Sequence, residues 1–66
     1  MITVTRLNNT KLVINAELIQ CFEETPDTVI TMTNGTKYLV KEKSQELIDL
    51  VIAYKQRIFS GLIENN

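Results

Sequence analysis

The 66-residue chain reads as an α+β domain: a small antiparallel β-meander of four to five short strands followed by one C-terminal amphipathic helix. Three observations predict this. From Ile2 to Lys41, apolar and polar residues largely alternate with the period of two that lays one face of a strand on a core. Asn, Pro, Asp and Gly interrupt that alternation at short intervals, as hairpin turns require. From Leu47 onward the apolar spacing becomes three and four, the pattern of a helix with one buried face.

Residues 2–7 (ITVTRL) place Ile2, Val4 and Arg6 on one face and Thr3, Thr5 and Leu7 on the other. Asn8-Asn9-Thr10 turns the chain into residues 11–14 (KLVI), which completes a first hairpin. Asn15-Ala16-Glu17 breaks the pattern. Residues 18–24 (LIQCFEE) alternate again as a third strand, in which Leu18, Gln20 and Phe22 oppose Ile19, Cys21 and Glu23. Thr25-Pro26-Asp27 forms a corner, with proline presetting φ. Residues 28–33 (TVITMT) put Thr28, Ile30 and Met32 on one side. Asn34-Gly35 then predicts a type I′ turn, whose two central residues both need positive φ. In the last strand, residues 36–41, Tyr38 and Val40 oppose Lys37, Leu39 and Lys41. No internal repeat stands out.

Ser44 suits an N-cap, with Gln45 and Glu46 in the first turn where an acid complements the helix dipole. The spacing predicts a helix over residues 45–59, stopped by Gly61, with a tail over 60–66; the sheet (2–41) and helix make a single domain over 1–66. Strands of five or six residues span about 17 to 20 Å and a 15-residue helix about 22 Å. The last helical turn and the tail should therefore overhang the sheet, exposing Ile58, Phe59 and Leu62 as an apolar contact surface.

Near this length folding hides roughly 60% of the surface the unfolded chain exposes, so the core is thin and self-association would help. Hydrophobic residues at 44% and charged ones at 23% exclude the composition of a disordered chain. Net charge −1 supplies no global positive field to gather nucleic acid or an anionic membrane. The charge is uneven, however: Glu17, Glu23, Glu24 and Asp27 form an acidic stretch, and Lys37, Lys41 and Lys43 cluster later. Cys21 is single, which rules out an internal disulfide and predicts a small buried hydrophobe. Neither a signal peptide nor a membrane span is legible, so the reading is a cytoplasmic protein without membrane insertion.

Enzyme readings fail on inventory. The chain contains no histidine, one cysteine and two glycines, so it offers no nucleophile–base pair, no His or Cys metal cluster and no glycine-rich phosphate loop. Adjacent carboxylates such as Glu23 and Glu24 point to opposite faces of a strand. No catalytic residue, cofactor, metal or small-molecule substrate is expected. Tyr38 beside lysines could stack a base, yet its place on an apolar strand face predicts packing against the helix with the hydroxyl at the rim.

The opening ITVTRLNN, the segment LVINAELI, the stretch TPDTVITMTNGTKYLVKE and the closing amphipathic helix resemble the FlbD/SwrD family of small flagellar and swarming-motility proteins. The resemblance runs from Ile2 to Ile58 and is most specific in the middle, at Thr25, Pro26, Asp27, Thr28, Thr33, Asn34, Gly35, Tyr38, Val40 and Glu42. Two positions depart from the family pattern: Asn9 stands where glycine is common, and Lys43 is an extra residue before Ser44. The resemblance implies a non-enzymatic accessory of the bacterial flagellum. Such a protein would support motor power and swarming by docking to cytoplasmic motor or stator proteins. It would act at the inner face of the motor, peripheral to the membrane; the thin core and the apolar helix end, for their part, predict a homo-oligomer.

The opening ITVTRLNNTKLVI is also similar to the start of the carbon storage regulator family of small RNA-binding regulators, with Arg6 as the basic residue. That likeness covers only the stretch up to Ile14, and the later strands and net charge fit it poorly. The expected contact residues are Arg6, Lys37, Lys41 and Lys43 for a polar surface and Ile58, Phe59 and Leu62 for an apolar one.

Overall fold

The computed structural model describes the backbone of residues 1–64 and side chains through Ile58. Five strands, β1 (Ile2–Thr5), β2 (Lys11–Ile14), β3 (Ile19–Glu24), β4 (Thr28–Met32) and β5 (Lys37–Val40), precede one helix, α1 (Ser44–Glu64). The α+β arrangement agrees with the sequence reading. The strands nevertheless divide into two antiparallel sheets, β1-β2 and β3-β4-β5, where a continuous meander was expected. A one-turn 3₁₀ helix, Ala16–Leu18, is the cause: it consumes the residues that would have carried β2 directly into pairing with β3. Asn15 caps it, its side-chain oxygen accepting from the Glu17 N–H. The sheets meet on their other side, through an isolated antiparallel bridge between Arg6 and Val40 and a hydrogen bond from the Lys41 N–H to the Thr5 carbonyl of 2.8 Å.

Two of the hairpin turns are the same device. At residues 6–10 the Asn9 N–H donates to the Arg6 carbonyl and the Arg6 N–H to the Thr10 carbonyl. At residues 32–36 Gly35 donates to Met32, and Met32 to Thr36, in the same way. In each, the asparagine side chain (Asn8, Asn34) accepts from the threonine two residues on, and the left-handed residue is third in the loop: Asn9 at φ 72° and Gly35 at φ 90°. This is a type I turn closed by a left-handed residue, so the expected type I′ geometry at Asn34-Gly35 is corrected. Asn34 does not adopt positive φ; its side chain serves the turn instead. Asparagine is the non-glycine residue best suited to the left-handed region, which accounts for Asn9. A seven-residue pattern, Thr-x-x-Asn-(Asn/Gly)-Thr-Lys, therefore occurs twice, at residues 5–11 and 31–37, where no repeat was read.

A bulge in β3 overturns a second expectation. Ile19 pairs with Met32 and Cys21 with Thr31, so Gln20 is an extra residue on β3. The extra residue resets the alternation, and both Ile19 and Phe22 pack on the core. Cys21 turns outward and is exposed, not buried as read. Leu18, left in the 3₁₀ turn, is exposed as well.

The core lies between the inner faces of the sheets and the first turns of α1. Ile2, Val4, Ile14, Ile30, Met32 and Val40 come from the strands, Ala16 from the 3₁₀ turn and Leu47 from the helix. Tyr38, Leu50, Val51 and Tyr54 pack partly buried around them. The helix begins one residue off the expected cap. The Lys43 carbonyl accepts from the Leu47 N–H at 3.0 Å, and the Lys43 N–H donates to Glu46 Oε1, so Lys43 occupies the cap position and Ser44 the first turn. At the other end α1 runs through Gly61 to Glu64 rather than stopping at Phe59. A glycine costs a helix about 1 kcal/mol but ends it only when the chain adopts a left-handed turn there. At 21 residues the helix is about 31 Å long, against about 13 to 20 Å for the strands.

Candidate functional site

The outer face of the sheets gathers the basic residues. On β5, Tyr38 and Val40 face the core while Lys37, Leu39 and Lys41 face out. Leu39 pairs with Val29 on β4, and Val29 with Glu23 on β3. One step along, Lys37 pairs with Thr31 and its ammonium donates to the Thr31 hydroxyl at 3.1 Å. The equivalent lysine of the first hairpin, Lys11, donates to Thr5 Oγ1 at 2.9 Å. The Lys41 ammonium donates to the Asn9 side chain, beside Thr5 and Arg6. The structure therefore brings Lys37 and Lys41 onto one face, around Leu39; Arg6, bridged to the inward-facing Val40, does not join them. Lys11 was not among the residues read from sequence; the repeated Thr-x-x-Asn-(Asn/Gly)-Thr-Lys pattern was the signal that could have found it.

Lys43 does not join this group. Its backbone forms the start of α1, and the carboxylates there make a separate acidic zone. Glu42, Glu46 and Asp49 line a hollow of about 390 Å³ together with Thr3 and Leu50. The net charge of −1 thus conceals a basic sheet face and an acidic helix start. Among the described residues the ion pair is Lys55 with Glu17, 3.2 Å apart and exposed on both sides, which leaves the ammonium groups of the sheet face on neutral acceptors.

Two of the acids hold the fold. Glu24, at the end of β3, accepts from the Ser44 N–H at 2.8 Å, and that hydrogen bond keeps its carboxyl below the usual range. Glu42 accepts from the Thr5 N–H at 2.8 Å. Burial pushes Glu42 upward, but the Thr5 hydrogen bonds and the charge of Lys11 outweigh it and the net is downward. Carboxyls lowered in the folded state stabilise it above their unfolded pKa, and the gain is lost as pH falls through the folded one. Urea midpoints should therefore drop as pH falls from about 5 to about 3. Glu24→Gln and Glu42→Gln should each flatten that dependence, and an unchanged slope in the double variant would disprove it.

Of the expected apolar contact residues, Ile58 is 44% exposed. The side chains of Phe59 and Leu62 lie outside the described residues. Lys55, one turn before Ile58, makes the last described side-chain bond between the helix and the body of the protein. A second exposed pair, Ile48 and Ile52, lies one turn apart on the helix flank.

The sequence pattern of the family FlbD, described as flagellar and swarming motility proteins, matches residues 1–59. Comparison with curated proteins and with solved structures found no match.

Proposed function

The chain belongs to the FlbD family of flagellar and swarming motility proteins, and on that premise we propose that it is a non-enzymatic accessory that docks to cytoplasmic components of the flagellar motor or its stator. Docking there favours torque generation and hence swarming. The observation that carries this reading is the pair of exposed surfaces on a scaffold otherwise accounted for by turns and core: the lysine-bearing sheet face and the helix end with Ile58. Among the described residues no helix is long and apolar enough to cross a membrane, so contact with a membrane-embedded motor would be peripheral. The helix end, with Ile58, Phe59 and Leu62, serves self-association.

A deletion strain is the direct test. Swarming, motor torque and stator occupancy should all fall; normal values of all three would sink the proposal. A cross-linked pull-down from motile cells should recover motor proteins rather than RNA. For self-association, sedimentation of the full chain is compared with a chain truncated after Phe59, and monomeric behaviour of both would end that part.

A further inference from the structure

We propose that the outer face of the sheet docks an acidic amphipathic helix of a partner protein. Val29 and Leu39 would take its apolar residues, and the ammonium groups of Lys11, Lys37 and Lys41 its carboxylates. This deepens, and rests on, the docking reading above by naming the surface and its occupant.

Sheets in small domains are covered by a second layer, and here α1 covers the inner face alone. The outer face leaves Leu39 47% exposed, paired with Val29 at the centre of a cross-strand row. Basic groups stand on both sides of that row: Lys37 on one, Lys41 and Lys11 on the other. The α-carbons of Lys37, at the start of β5, and Lys41, just past its end, are about 13 Å apart along the extended chain. A helix covers that distance in about two turns, which sets its carboxylates two turns apart with an apolar residue between them. The Lys37 and Lys41 ammonium groups are positioned by the neutral oxygens of Thr31 and Asn9, so each is held in place without losing its charge, while Lys11, on Thr5, also faces the Glu42 carboxylate. Part of the ordering cost of binding is thereby met before the partner arrives. Glu23, at the far end of the Leu39–Val29 row, gives the face polarity and would oppose a basic residue of the partner. Three lysines beside that acid, on a chain of net charge −1, favour a protein helix of matching pattern over an anionic lipid surface.

The test titrates the nitrogen-15-labelled full chain with a synthetic helical peptide bearing two Glu two turns apart and Leu between, and with the same peptide carrying Lys for Glu. The acidic peptide alone should shift the amide signals of Val29, Thr31, Lys37, Leu39 and Lys41, and binding should weaken as salt is raised to about 0.5 M. Lys37→Glu with Lys41→Glu should reduce affinity about tenfold or more. Lys37→Gln with Lys41→Gln, a milder change on exposed side chains, guards against a folding defect and should give an intermediate loss. Shifts confined to the Ile48–Ile52 flank, equal binding of the basic peptide, no binding of the acidic one, or preferential binding of phosphatidylglycerol vesicles or single-stranded RNA would each overturn the proposal. In the cellular pull-down, equal recovery of motor proteins by wild type and the Glu variant would overturn this surface and leave docking standing. Failure of wild type to recover them, with the acidic peptide still bound at the sheet face, would overturn docking alone.

Discussion

Replacing Ile30 with alanine is expected to cost about 3 to 4 kcal/mol, the largest single loss available in this chain. Ile30 sits at 0% exposure in β4, the middle strand of the three-stranded sheet, with Phe22 and Tyr38 as its cross-strand partners. Its removal leaves a cavity that neither side can close, because both neighbouring strands are held in register by their own hydrogen bonds. At about 0.05 to 0.15 kcal/mol per residue a chain of this size has a total stability of about 3 to 10 kcal/mol. The variant should therefore lose about a third or more of its stability, read as a large fall in the urea midpoint by circular dichroism, and at the low end of that range it is unfolded without denaturant. A cost below about 1 kcal/mol would show that β4 is not the centre of the core.

Replacing Leu47 with alanine is expected to cost about 3 kcal/mol and to act differently, by releasing the helix. Leu47 is the helix residue at 1% exposure; Leu50, Val51 and Tyr54 are only partly buried. A helix in a protein draws most of its stability from packing of its apolar face, so on undocking the helical signal should fall and helix amides should exchange with solvent before those of β4. Leu47→Met, which conserves volume, should cost less than about 1.5 kcal/mol. Uniform loss of protection in helix and sheet together would contradict a separable helix. In cells the alanine variant should lose swarming at lower temperature than Leu47→Met, since the proposed docking surfaces need the assembled fold.

Much of this was legible because it depends on local chemistry. The alternation of Thr28, Ile30 and Met32 identified the core face of β4, and all three are buried. The period of the helix identified Leu47 on the buried side, but Ile48 and Ile52, which share its apolar spacing, are exposed. Strict alternation misplaced Cys21 because the Gln20 bulge moves every later residue of β3 to the other face, and nothing in LIQCFEE marks the extra residue. Helix length was misread because a glycine looks like a stop from its neighbours alone. Whether it becomes one depends on the conformation the whole chain adopts there. For the proposed contact surface, the outward direction of Lys37 and Leu39 followed from the alternation of β5, and the family likeness supplied motility.

By itself the sequence determined the fold class, the turn positions, the buried faces of β4 and β5 and the family, because each is written in short-range patterns of polarity and backbone preference. Tertiary structure alone decided the rest: the division into two sheets, the bulge that exposes Cys21, the Glu24 carboxylate at the helix start, and the meeting of Lys11 with Lys41 across the Arg6–Val40 bridge. Lys11 and Lys41 are thirty positions apart, and no local preference encodes their proximity. It arises only when burial of Val4 and Val40 in one core draws β1 and β5 together.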